Sequence, residues 1–150
     1  MSITGNLIQV LPGSEHWGDI LDLDQQFFSR PWTRPQWEDA DWDQNLLFAW
    51  ELLEKPIGFA LFFHLPDDPT AHLLKILMVP SERGQGKTVL FWRELAAGLR
   101  ERGVRDVYLE VEEKNARAIS FYQKIGFKKL RELRSYYSDG SDAVSMSLTL

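Results

Sequence analysis

The run Ser81-Glu82-Arg83-Gly84-Gln85-Gly86-Lys87-Thr88 carries the densest chemical signal in the chain. It lies between an apolar, strand-like segment and a helix-like one, and two glycines loosen its backbone. Successive N–H groups in such a loop can surround an anion at the positive end of the following helix, so a phosphate-bearing ligand is the physical expectation. A plain glycine-containing strand-to-helix turn explains the same spacing without a ligand. Gly86-Lys87-Thr88 also matches the end of a nucleotide-triphosphate loop, but the glycine needed five residues before Gly86 is Ser81. Its Mg²⁺ lacks a convincing acidic ligand, since Glu110 is flanked by Leu109 and Val111.

Other reactive side chains are few. The absence of cysteine excludes a disulfide scaffold, a thiolate zinc site and a thiol nucleophile. His16, His64 and His72 are isolated, with no spacing that makes two of them metal ligands, and no chemistry is assigned to them. Glu110 interrupts an apolar run, for which an ion pair with Arg105 or Arg117 is sufficient reason. Tyr122 falls on an apolar helix face, as a core tyrosine does, and Asn115 is a good helix N-cap whatever else it does.

These residues need a scaffold, and 150 residues are enough for one packed domain, here taken as 1–150. Apolar residues make up 44% of the chain, including 6 Trp and 9 Phe, so a core is expected rather than disorder. The net charge of −5 argues against coating nucleic acid. The longest apolar run, residues 57–65, is strand-sized and contains His64, and no secretory signal or membrane span is visible. A soluble, cytoplasmic protein is the expectation.

Along the chain, residues 3–11 read as a strand, and Ser14 can cap a helix with Trp17, Leu21 and Phe28 on one face. Thr33 and Gln36 have capping-box spacing, with Pro35 in the first turn. Segments 46–53 and 57–65 suggest a hairpin around Glu54-Lys55-Pro56, and 72–79 a third strand ending at Pro80. Val89, Trp92, Ala96 and Leu99 share a helix face that ends at Gly103. A strand over 106–111 precedes a helix capped by Asn115 and closed by Gly126. Segments 127–137 and 144–150 form a last strand pair across Ser138-Asp139-Gly140. This order predicts one α/β domain on a mixed sheet.

The two blocks Arg83-x-x-Gly86 and Asn115-x-x-Ala118-x-x-Phe121-Tyr122-x-x-x-Gly126-Phe127, about 29 residues apart, resemble the GCN5-related N-acetyltransferase (GNAT) superfamily. The stretch from Leu109-Glu110-Val111 through Phe127 is particularly similar to the RimI-type enzymes that acetylate protein N-termini. Pro31-Trp32 and Tyr136-Tyr137 echo the same subgroup. One departure is the Lys87-Thr88 pair, where the family carries an apolar and a small residue. Thr88 there either crowds a pyrophosphate or adds a hydroxyl to it.

The resemblance implies acetyl-CoA as cosubstrate, no metal, and a twisted sheet that splays between residues 73–79 and 107–112 with about four flanking helices. Its pyrophosphate would lie on the amides of Arg83, Gly84, Gln85, Gly86, Lys87 and Thr88. Its amide-rich arm would pair with the strand edge at Leu77 and Met78, with Asn115 contacting it or ordering the site. The residue matching Glu110 serves as general base in the RimI-like pattern, and the tyrosine matching Tyr122 as general acid toward sulfur. Trp32 and Tyr137 would line the acceptor site.

The acceptor implied is an amine, first a protein N-terminus and second a small amine or polyamine, with no nucleic-acid or membrane partner. A silent acyl-CoA-binding domain and a nucleotide hydrolase remain as other classes. Charge is divided along the chain: residues 1–80 hold 4 basic and 12 acidic side chains, residues 81–134 hold 13 and 8. The acidic run Glu38, Asp39, Asp41 and Asp43 is either a solvated face or a rim that attracts a cationic acceptor.

Overall fold

The computed structural model describes residues 5–150. Its strands are β1 (Asn6–Gln9), β2 (Asn45–Leu52), β3 (Lys55–Phe63), β4 (Thr70–Met78), β5 (Asp106–Glu112), β6 (Lys128–Leu133) and β7 (Ala143–Thr149). Its helices are α1 (Trp17–Phe27), α2 (Arg34–Asp39), α3 (Lys87–Glu101) and α4 (Ala116–Lys124), with a 3-10 turn at Pro80–Glu82. Seven strands form one sheet in the order β1-β2-β3-β4-β5-β7-β6, antiparallel everywhere except between β4 and β5. This is the mixed α/β architecture that the order of elements predicts.

The β4–β5 contact is brief. Only Thr70, Ala71 and His72 pair with Asp106, Val107 and Tyr108, after which the strands diverge. The rest of the β4 edge therefore has backbone donors and acceptors with no strand beside them. On its other edge β4 carries a bulge: Lys75 faces Leu61 and Leu73 faces Phe62, which leaves Leu74 without a partner. The bulge resets which β4 side chains point to which face.

Each sheet face has its own core. α3 and α4 pack on one face with Leu73, Val107, Leu109 and Val111. α1 and α2 pack on the other with Leu47, Phe59, Leu61 and four tryptophans, Trp17, Trp32, Trp37 and Trp42. Strand alternation then places Tyr108, Glu110 and Glu112 on the α1/α2 side, opposite Leu109 and Val111.

Local signals hold at most ends. Thr33 and Gln36 form the expected capping box, and the Asn115 side chain accepts from the Ala118 amide at 3.1 Å. Three expectations shift. Ser14 does not cap α1, whose N-cap is His16; its hydroxyl donates back to the Leu11 carbonyl instead. The β2–β3 turn is Leu53-Glu54, both at positive φ, rather than Glu54-Lys55-Pro56. The strand expected over 127–137 stops at Leu133, because Ser135 takes a left-handed φ of 49° and its amide donates to Asp142. That break releases Tyr136 and Tyr137 from the strand. The opening strand lies within the expected 3–11, though Ile3 falls outside the described residues.

Candidate active site

Divergence of β4 from β5 opens a cavity of about 630 Å³ that runs through the sheet and is lined from both faces. Arg83, Gly84, Thr88, Asn115, Arg117 and Tyr122 line it on the α3/α4 side. Arg30, Trp32, His72, Glu110, Glu112 and Tyr137 line it on the α1/α2 side, with Leu77 and Met78 along the β4 edge.

The α3/α4 mouth gathers positive charge and free donors. Gly86 is the N-cap of α3 at φ 79°, a conformation glycine adopts without the Cβ penalty. No side chain caps this end, so the first amides of a 15-residue helix keep their donors. Arg83 is anchored by its Nε–H donating to the Met78 carbonyl at 2.8 Å. Burial, and then the charge of Arg117, hold the Arg83 guanidinium below its ordinary pKa, as expected where two cations share one mouth. Free amides, two arginines and an unpaired strand edge fit a molecule with a phosphate cluster and an extended amide arm.

Not every residue expected in the loop faces this cavity. Gln85, Gly86 and Lys87 do not line it. The Lys87 ammonium is bound to Glu82 and to Gln85 Oε1, so its charge is turned back on the loop. The triphosphate-loop reading wants that lysine on phosphate, whereas here it is engaged by Glu82 and Gln85. Gly86 is the N-cap of α3 and Lys87 its first residue, so what they present at this end is backbone.

Tyr122 lines the cavity on α4, edge-on to Phe127. Burial, and then nearby Tyr137, push its phenol far above the usual tyrosine range, so it stays protonated at any working pH. Glu110 has neither Arg105 nor Arg117 as partner; its Oε2 lies 2.5 Å from His72 Nε2. The His72 ring in turn stacks on Tyr108 with centroids 4.2 Å apart. His72, to which the residue pattern assigns no chemistry, therefore belongs to the site. Only the parallel β4–β5 register, which pairs His72 with Tyr108, brings it to Glu110 across 38 residues.

The loop between α1 and α2 is held from beneath. Asp24, fully buried, accepts from Lys75 Nζ at 2.8 Å, Trp37 Nε1 at 3.0 Å and the Trp32 amide at 2.8 Å. Lys75 also donates to the Arg30 carbonyl at 3.1 Å, and its ammonium lies 4.3 Å from the Phe28 ring centroid. Burial lowers the Lys75 pKa and the Asp24 pairing opposes that shift. Trp32 thus reaches the cavity wall on an anchored loop. Glu38, Asp39, Asp41 and Asp43 do not line the cavity; Glu38 pairs with Arg34 and the Asp41 side chain accepts from the Asp43 amide. The acidic groups at the mouth are Glu110 and Glu112 instead.

Among the described residues no cluster of His, Asp or Glu could hold a metal ion, and no helix is long and apolar enough to cross a membrane. Residues 17–127 match the model of the acetyltransferase (GNAT) family. A [ribosomal protein bS18]-alanine N-acetyltransferase of Escherichia coli K12 is 29% identical over 93% of this chain and 91% of its own. An N-alpha-acetyltransferase of Sulfurisphaera tokodaii is 36% identical over 59% of this chain, and the match spans only 56% of that relative. The crystal structure of the ribosomal-protein-S18-alanine N-acetyltransferase from Escherichia coli superposes with a TM-score of 0.83 at 26% identity, covering 97% of this chain and 93% of that one. Matched over well more than half its length, and sharing its fold with that crystal structure, this chain belongs to the GNAT family and is an N-acetyltransferase.

Proposed function

We propose that this enzyme acetylates the α-amine of protein or peptide N-termini, with acetyl-CoA as donor, in a single catalytic domain built on the one sheet. The observation that carries the proposal is the through-sheet cavity, with Tyr122 at one side of the gap and Glu110 at the other. The α3/α4 mouth suits a polyanionic donor, and the mouth with Glu110 and Glu112 suits a cationic or neutral amine. The names of the Escherichia coli and Sulfurisphaera tokodaii relatives point to the same acceptor class.

Acetyl-CoA supplies an activated acetyl thioester, and the chain's residues manage two protons. A protonated amine cannot attack, so Glu110 takes the amine's proton. With its Nε2 protonated, His72 donates to Glu110 Oε2 and fixes the carboxylate, whose other oxygen has no part in that bond. As the carbon–sulfur bond breaks and the carbon–nitrogen bond forms, Tyr122 gives its phenolic proton to the departing sulfur. Asn115 caps α4 and so fixes the helix that carries Tyr122. Arg83 and the first amides of α3 hold the phosphates, and Leu77 and Met78 offer the open β4 edge to the amide arm. Trp32 and Tyr137 wall the acceptor side.

Thiol release from acetyl-CoA across N-terminal peptides, internal-lysine peptides and small amines tests the acceptor. Activity is expected on free N-terminal peptides and lost when their α-amine is blocked. Turnover of small amines alone would overturn the reading. Changing Glu110 to Gln is expected to lower kcat/KM for an N-terminal peptide about tenfold at neutral pH. The deficit should close as pH rises past the α-amine's own pKa of about 8, where the base is no longer needed. A deficit that stays constant with pH would remove Glu110 as the base.

A further inference from the structure

Arg30, in the loop between α1 and α2, bridges the acceptor side of the cavity. Its Nη1 donates to Glu112 Oε2 at 3.0 Å and its Nη2 to Asp139 Oδ2 at 2.9 Å, partners 82 and 109 residues away. The guanidinium carbon lies 3.8 Å from the centroid of the Tyr137 ring. Its main-chain carbonyl is held by buried Lys75. One side chain thus ties the α1–α2 loop to the end of β5 and to the loop between β6 and β7. Hydrogen bonds from Ser141, and then the Arg30 charge, hold Asp139 below the usual carboxylate range, so this end of the bridge persists into acid.

This is more bracing than an exposed ion pair usually has, and it leaves donors over. A guanidinium has five N–H groups; the two hydrogen bonds to Glu112 and Asp139 use one on each Nη. Arg30 lines the cavity with about a third of its side chain exposed, so its remaining donors are open to an occupant. Both flanking carboxylates already neutralise it, and the trio carries a net negative charge. Such a group suits a neutral carbonyl oxygen better than a third carboxylate.

Position along β5 says which part of an acceptor it meets. Glu110 and Glu112 are two residues apart on one strand face, a spacing of roughly 7 Å. A peptide with its amine at Glu110, extended along β5 toward Glu112, covers that distance in about two residues. We infer that Arg30 is a specificity-determining residue that binds the main chain of the acceptor's second or third residue, favouring extended peptides over compact amines. The inference rests on the N-terminal acceptor proposed above. Because the contact is to backbone, it is tolerant of side-chain sequence.

The test compares a dipeptide with a hexapeptide that shares its first two residues. In the unmodified enzyme, the hexapeptide is expected to have the higher kcat/KM, mainly through a lower KM. In Arg30→Ala, KM for the hexapeptide should rise about tenfold, the scale of one charge-assisted hydrogen bond, while kcat falls much less. The gain from dipeptide to hexapeptide should shrink accordingly. Arg30→Lys should recover part of it, since an ammonium can keep one carboxylate and one carbonyl but not the planar fork. If Arg30→Ala does not fold, Arg30→Lys and Arg30→Gln make the same comparison, with intermediate losses expected. A length gain that survives in the folded variants, or no length gain in the unmodified enzyme, overturns the role of Arg30. Absence of activity on any N-terminal peptide would instead overturn the acceptor proposal.

Discussion

Replacing Tyr122 with phenylalanine is expected to lower kcat by about 10²-fold, the scale of losing a positioned general acid, while KM for acetyl-CoA stays within about twofold. The substitution removes one oxygen and keeps the ring against Phe127, so the loss reports proton delivery rather than packing. Burial holds the phenol's pKa far above the ordinary value, so it carries its proton throughout the working range, and what fits it to the duty is its place on the cavity wall. Two consequences follow for the pH profile. The unmodified enzyme should show no falling limb assignable to Tyr122 below about pH 10. The fold should also lose stability as pH rises past about 10, where the unfolded chain releases this proton and the folded one does not. Steady-state kinetics of a folded Tyr122→Phe variant decide the matter. Turnover equal to the parent's would take Tyr122 out of the acid role.

The second large effect is on stability. Asp24→Ala is expected to cost about 3–5 kcal/mol, because it leaves the buried Lys75 ammonium without its counter-charge and frees two further donors. For a chain of this size that is a fall in Tm on the order of 10 °C. The sign of its pH dependence is set by Lys75, whose folded-state pKa already lies below the ordinary value through burial. Without Asp24 that depression deepens. Between the folded and unfolded pKa values the unfolded chain then binds more protons, so stability rises with pH and the deficit shrinks toward alkaline conditions. Pairing Asp24→Leu with Lys75→Met should recover most of the loss, since neither charge then remains buried. Thermal or denaturant unfolding of the unmodified protein and the two variants provides the check. A cost below about 1 kcal/mol for Asp24→Ala would show that the pair does not hold the loop.

That loop connects stability to function. Asp24 and Lys75 anchor the backbone around Arg30 and Trp32 from inside, and Arg30 braces the acceptor mouth from outside. Chain sections rich in acid and in base also divide less simply than their sums suggest. Lys75, from the acidic first half, is neutralised in the core, whereas Glu110 and Glu112, from the basic section, face the acceptor side.

Much of this molecule was legible from short stretches of residues. Thr33 to Gln36, Asn115 to Ala118 and the glycine loop before α3 depend on neighbours within one helical turn. Hydrogen-bonding side chains and glycine at such spacing set local backbone geometry almost alone. The resemblance blocks, from Arg83 to Phe127, fall in this class too, and they brought Glu110, Asn115 and Tyr122 forward together. Tertiary structure decided the rest. His72 meets Glu110 because three parallel pairs precede the splay, and Lys75 turns toward Asp24 beside a one-residue bulge in β4. Arg30 reaches Glu112 and Asp139 only once three distant segments converge. Period and capping carry no information on register between strands far apart in the chain, and register is where these charges find their partners.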